Sequence, residues 1–141
     1  MSQSFESKRA PEPVGAYPHA KRVGNLLFLS GVGPRKRGSK DIPGVTLNAS
    51  GDVIAKDIRA QCVSCFDNVR AVLEESGSAW ENIVDVLVFL TDMKHDFKAY
   101  NAVYAEYFAG EGNPNPTRTT IEINALPTPI AVELKVVATI D

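Results

Sequence analysis

Arg118 and Glu133 are the two side chains whose types and surroundings best suit work on a small anionic molecule. Arg118 stands among short residues, and a guanidinium offers a planar fork that captures a carboxylate through paired hydrogen bonds. The competing reading is an ion pair with Glu122 or Glu133, which residue type alone favours. Glu133, between Val132 and Leu134, is either a solvated strand residue or a carboxyl in a partly dry cleft. In the second case its pKa rises and it can move protons. Asn101 falls one helical turn beyond Phe97 on the same face, where its amide needs partners. Those partners are a backbone group or a ligand.

Other motifs carry less. Cys62-x-x-Cys65 lies on an apolar helical stripe. Zinc needs four ligands, and His19 and His95 are the available histidines, so the cysteines read as buried small hydrophobes. No metal site is expected. Gly31-Val32-Gly33-Pro34 lacks the third glycine and the following helix of a phosphate loop, and reads as a turn at a strand end. Two histidines support no Ser-His-Asp pattern.

The hydrophobic pattern sets these residues on five strands and two helices. Tyr17 to Arg22 and Leu26 to Leu29 form a hairpin around Val23-Gly24-Asn25. Residues 1–13 are polar and proline-containing, a flexible lead-in, and 33–51 form a long basic loop carrying Arg35-Lys36-Arg37. Ile58, Cys62, Cys65, Phe66, Val69, Val72 and Leu73 recur at helical spacing, with Gly77 at the cap position. Ser78-Ala79-Trp80-Glu81 has capping-box form for one short turn. Ile83 to Leu90 is apolar enough for a strand covered on both faces. A second helix runs from about Asp96 to Phe108, with Phe97, Tyr100, Tyr104, Tyr107 and Phe108 as its apolar stripe. In Thr117 to Asn124, Arg118, Thr120, Glu122 and Asn124 share one face. In Ala131 to Ile140, Val132, Leu134, Val136, Ala138 and Ile140 form the buried face, with Glu133, Lys135 and Thr139 opposite. The order β-β-α-β-α-β-β predicts an α+β fold with two helices on one sheet face. The other face would carry Arg118 and Glu133 and is expected to be covered by oligomerisation.

The chain has 141 residues, which suits a single domain over 1–141. Its formal net charge of −2 gives no footprint for nucleic acid. No apolar stretch approaches the roughly 20 residues that span a bilayer, and the first residues lack the apolar block of a signal peptide. The expectation is a cytoplasmic protein with no membrane and no nucleic-acid partner.

Pro116-Thr117-Arg118-Thr119-Thr120-Ile121-Glu122-Ile123, Leu126-Pro127 and Val132-Glu133-Leu134 together resemble the C-terminal signature of the Rid (reactive-intermediate deaminase) family. The fifteen-residue spacing from Arg118 to Glu133 is the family's. Gly15-Ala16-Tyr17 resembles its Gly-Pro-Tyr, and Leu29-Ser30-Gly31 its Thr-Ser-Gly. Asp96-Phe97 through Asn101 to Tyr104 resembles its Asp-Phe-x-x-x-Asn-x-x-Tyr helix.

The resemblance implies a chorismate-mutase-like fold on a mixed sheet and a homotrimer with sites at its interfaces. From the residues alone the last two strands would pair as a hairpin. In the fold of that family Ile83 to Leu90 separates them, placing Arg118 and Glu133 on the order of 10 Å apart, a gap for a small substrate to bridge or a neighbouring chain to complete. By carry-over, Arg118 would clamp the carboxylate of a 2-imino or 2-enamino acid, and Glu133 would place water and move protons. Tyr17, Ser30, Gly31, Asn101 and the Thr120 backbone would line the pocket. The implied chemistry is hydrolysis of a C=N bond to a 2-keto acid and ammonia, with no cofactor. Some members are general housekeeping deaminases. Others are described as ligand-binding, chaperone-like or ribonuclease proteins.

Pro18-His19 stands where the family usually has Ser-Gln, and the 33–51 loop is longer and more basic than usual. These departures resemble the 2-aminomuconate deaminase branch, whose dicarboxylate substrate yields 4-oxalocrotonate. A second carboxylate would want a second cation, for which Arg35, Lys36, Arg37 and His19 are candidates. The alternative is a solvated basic loop.

Overall fold

A computed structural model describes residues 2–141. It contains β1 (Ser2–Phe5), β2 (Ala20–Val23), β3 (Leu26–Leu29), β4 (Val45–Leu47), β5 (Val53–Lys56), α1 (Ile58–Glu75), β6 (Ile83–Leu90), α2 (Met93–Phe108), β7 (Thr117–Glu122) and β8 (Val132–Thr139). Six strands form one sheet in the order β1-β2-β3-β8-β6-β7. β7 runs parallel to β6, and the other neighbours are antiparallel. The expected α+β order is therefore present, with β6 between the last two strands. α1 and α2 cover one face of the sheet, and the other face is open.

Local chemistry sets the helix ends. The Asp57 side chain accepts the Ala60 N–H at the start of α1. Gly77, at φ 89°, takes the left-handed turn after α1, and the Ser78 N–H returns to the Leu73 carbonyl. The Ser78 hydroxyl donates to the Thr139 carbonyl rather than capping the 3-10 turn Trp80–Asn82, so the capping-box expectation fails there.

Phe66 is the hub of the core between the helices. It is fully buried, with the rings of Phe108 and Tyr107 at 5.1 and 5.2 Å and those of Trp80 and Tyr104 at 6.4 Å. Edge-to-face aromatic packing adds to the area it removes from water. Phe66→Ala should destabilise the fold by about 3–5 kcal/mol. The urea midpoint measures this, and a loss under about 1 kcal/mol would show that the cluster can collapse around the gap.

Two segments are more structured than their composition suggests. Residues 2–5 form a sheet edge, and Ser7, Ala10 and Pro11 are buried. The 33–51 loop contains β4, which pairs with β5 in a separate hairpin. Lys56 ties that hairpin to α2 through Asp96 at 2.6 Å and Asp92 at 3.4 Å. In both cases polar side chains elsewhere supply partners that local sequence does not reveal. No described helix is long and apolar enough to cross a membrane.

Candidate active site

Strand pairing decides where Arg118 and Glu133 point. β8 buries Val132, Leu134, Val136 and Ala138 beneath the helices, so Glu133 lies on the open face. β7 has no comparable apolar stripe. Thr120 pairs with core residue Val88, and its hydroxyl lies 2.8 Å from the Tyr100 hydroxyl of α2. Arg118 and Thr120 therefore share the helix face. Glu133 pairs with Phe89 and Arg118 with Val86, two strands apart and three residues offset along β6. The two charges sit on opposite faces of the sheet. This corrects the expectation that both lie on the open face, and it rules out their meeting across a substrate within one protomer.

Arg118 is held by α2. Its Nη1 donates to Asn101 Oδ1 at 2.8 Å, and its guanidinium carbon lies 4.7 Å from the Tyr104 ring centre and 5.5 Å from that of Tyr100. The Tyr104 ring is itself stacked on Phe108 at 4.2 Å. A guanidinium laid against aromatic faces keeps its charge and its edge donors. Arg118 has no carboxylate partner among the described residues. Glu122, one expected partner, instead accepts the Met93 N–H at the start of α2. Asn101 turns out to serve Arg118 rather than a backbone group. Burial pushes the Tyr104 hydroxyl up to about 12, so it stays protonated.

Glu133 is half-buried beside the turn that follows β3. A Cβ on Gly31 would lie 2.7 Å from Glu133 Oε2, so a larger residue there would push the carboxyl out of its place. Val14, Tyr17, Gly33, Arg35, Pro127 and Ile130 complete a recess of about 100 Å³ around the carboxyl. Burial raises the Glu133 carboxyl above the ordinary carboxylate range, and the nearby Arg35 charge opposes the rise. Ser30 also borders this region, but its hydroxyl is committed to the Pro18 carbonyl at 2.7 Å.

The basic loop divides by role. Arg35 Nη2 donates to the Glu12 carbonyl and its side chain lines the recess. Arg37 is spent on the Ser7 and Ala10 carbonyls. His19 is buried and both ring nitrogens are bonded, so it is not a free cation for a substrate. The largest cleft, about 780 Å³, lies elsewhere, between β5 and the 124–131 segment, and contains none of the expected site residues. Its charged lining residues, Lys56 and Asp92, are paired with each other, so the smaller Glu133 recess is the better chemical candidate.

The family profile described as "Endoribonuclease L-PSP" matches residues 7–140. The chain belongs to this family, whose relatives are named RutC and Rid proteins. A "RutC family protein" from Pyrococcus abyssi is 33% identical over 132 residues, covering 94% of this chain and 92% of its own. The crystal structure of the Rid-family protein YyfA from Yersinia pestis superposes with a TM-score of 0.80 at 30% identity, covering 99% of this chain and 100% of its own. That of E. coli TdcF with bound serine gives 0.83 at 27% identity and covers 99% of each chain.

In this Rid-family chain, α1 supplies positioning groups that its apolar stripe concealed. Ser64 Oγ donates to the Pro34 carbonyl, Cys65 Sγ to that of Val32, and Asn68 Nδ2 to those of Gly33 and Arg35. These bonds hold the backbone that carries Arg35. Ser64 and Asn68, four residues apart on a buried helix, were the available signal. Cys62 and Cys65 are free and buried, and burial pushes both thiols up, Cys62 to about 12. Among the described residues no three His, Cys, Asp or Glu side chains cluster to hold a metal ion.

Proposed function

We propose that this protein is a deaminase that hydrolyses the C=N bond of 2-imino acids, with 2-aminomuconate as its substrate and 4-oxalocrotonate and ammonia as products. The observation that carries the reading is Arg118: a guanidinium braced by Asn101 and two tyrosine rings, exposed, and without a carboxylate of its own. That is a receptor for a ligand carboxylate. The serine bound by TdcF is an amino acid with such a group.

Because Arg118 and Glu133 lie on opposite sheet faces, a working site needs two protomers, one supplying each half. Exposed Val23, Leu26, Phe28 and Ile121 on the open face give a second copy apolar surface to cover. A homotrimer closes such contacts with three equivalent sites.

The chemistry follows from the groups present. The enamine tautomerises to an imine, and protonation of the imine nitrogen makes the C=N carbon electrophilic. Arg118 holds the 1-carboxylate and orients that carbon. Glu133, as carboxylate, takes a proton from water as the C–O bond forms. It then passes that proton to nitrogen, and as a carboxylate again takes the hydroxyl proton as the C=O bond forms, the C–N bond breaks and ammonia leaves. Arg35 faces the distal carboxylate of the dicarboxylate substrate. Tyr17 and Gly31 wall the recess and keep bulk water from the reacting carbon.

Ammonia release from enzymatically generated 2-aminomuconate, set beside that from 2-iminobutyrate, tests the reading. No acceleration over the spontaneous rate for either removes it, and a preference for 2-iminobutyrate leaves a general 2-imino acid deaminase. The family description also names an endoribonuclease. RNA cleavage by nuclease-free protein, unaffected by Arg118→Ala, would favour that reading instead.

The pH profile has a definite sign. Glu133 must be ionised to act as base, so kcat falls as pH drops through its raised pKa. Arg35 holds that pKa down, so Arg35→Ala should move the acid limb to higher pH. Glu133→Gln should lower kcat strongly and abolish the limb while the oligomer stays intact. An acid limb unmoved by Arg35→Ala would separate the two groups.

A further inference from the structure

Residues 7–12 form a strap whose Ala10 and Pro11 line a small pocket next to the Glu133 recess, the two sharing Tyr17, Gly31, Gly33 and Arg35. His19 lies beneath it, 8% exposed. The Ser7 N–H donates to Nδ1 at 3.0 Å, the geometry of the tautomer with its proton on Nε2, and the exposed Glu6 carboxylate also lies 3.2 Å from Nδ1. Nε2 then donates to the Pro11 carbonyl at 2.8 Å. One rigid ring thus fixes two strap backbone groups four residues apart. Ser7 Oγ adds a second anchor, donating to Glu75 and accepting from the Arg9 and Ala10 N–H groups.

We propose that His19 is a positioning residue, holding the strap so that the Glu12 carbonyl sets the Arg35 guanidinium beside Glu133 to receive the distal carboxylate of a dicarboxylate ligand. This rests on the assignment of Arg35 under Proposed function. The partner of Arg35 decides the matter. Its Nη2 donates to a neutral carbonyl at 2.8 Å, so the guanidinium is aimed without being spent on a salt bridge, and the carboxyl its charge acts on is Glu133. The Glu12 carboxylate faces Arg37 instead, at 3.6 Å, and Arg37 is already occupied by strap carbonyls. With the other end of Arg35 fixed by Asn68, the strap is what orders its side chain before a ligand arrives.

Binding of trans,trans-muconate, a stable dicarboxylate, measured by calorimetry on the full-length protein tests this without turnover. His19→Ala should weaken muconate about 5- to 10-fold and leave pyruvate, a monocarboxylate, within about twofold. His19→Gln, which retains one donor and one acceptor, should bind muconate like the wild type. Trypsin should cut faster after Lys8 and Arg9 in His19→Ala. Adding His19→Ala to Arg35→Ala should cost nothing further, because one acts through the other. Ser7→Ala loosens the same strap without touching the buried ring, and reports the same effect should His19→Ala fail to fold.

Unchanged muconate affinity in His19→Ala and Ser7→Ala overturns the proposal when Arg35→Ala does weaken binding. Equal loss of muconate and pyruvate overturns it as well. Muconate binding indifferent to Arg35→Ala overturns the Arg35 assignment and this proposal with it. A wild type that binds as described yet releases no ammonia overturns the deaminase reading alone.

Discussion

Arg118→Ala should lower kcat/KM for a 2-imino acid by roughly 10²- to 10³-fold, about 3–4 kcal/mol of transition-state binding. The size follows from losing two charge-assisted hydrogen bonds to a carboxylate, each typically about 1.5–3 kcal/mol. Arg118→Lys should recover little of this. An ammonium offers no fork, and it cannot keep the bond to Asn101 while lying flat on Tyr104. Asn101→Ala should cost less, since the aromatic rings still brace the guanidinium. Folding stability should move little in Arg118→Ala, because the side chain is exposed and neutralises no partner. Steady-state kinetics with a urea midpoint for each variant separates the two effects. A change under about fivefold in kcat/KM would take Arg118 out of the site.

Mixing inactive Arg118→Ala and Glu133→Gln proteins after unfolding and joint refolding should restore activity. Each variant alone lacks one half of every site. In a mixed ring, a site between a protomer with intact Arg118 and a neighbour with intact Glu133 is complete. Random assortment at equal ratio makes that true of about a quarter of sites in a closed symmetric oligomer. Recovery to about a quarter of wild-type activity, from a background at least tenfold lower, is the expected result. The double variant Arg118→Ala/Glu133→Gln mixed with wild type is the control, and it creates no rescued sites. Absence of rescue in a confirmed hetero-oligomer would mean that one protomer carries the whole site, contrary to the opposite facing of the two residues.

The same opposition shows where sequence reading succeeds and where it stops. Alternation in β8 is strong, with four apolar residues that demand the core, so the outward direction of Glu133 was legible. β7 offers Thr117, Thr119 and Ile121 against Arg118, Thr120 and Glu122, and neither set is apolar enough to claim the core. Parity within that strand was readable, but its facing was not. His19 was legible as a departure from the family pattern, and its type suggested a ligand contact. The structure makes it a buried strut, because Ser7 and Pro11, eight and more residues away, fold back onto it. Residues 1–13 read as flexible for the same reason: Glu75 and Arg37, which tie down Ser7 and Ala10, are far along the chain.

The sequence by itself determined the family, the order of the two helices and five of the strands, the helix cap at Gly77, and the pairing of a guanidinium with a carboxyl at fifteen-residue spacing. These rest on local periodicity, backbone conformation and motif, which act over a few residues. Tertiary structure alone decided that β7 turns Arg118 toward α2 while β8 turns Glu133 away from it. The physical reason is that a strand of mixed character takes its facing from what packs on it. Tyr100 and Asn101 gave Thr120 and Arg118 their polar partners, and the open face gave them none.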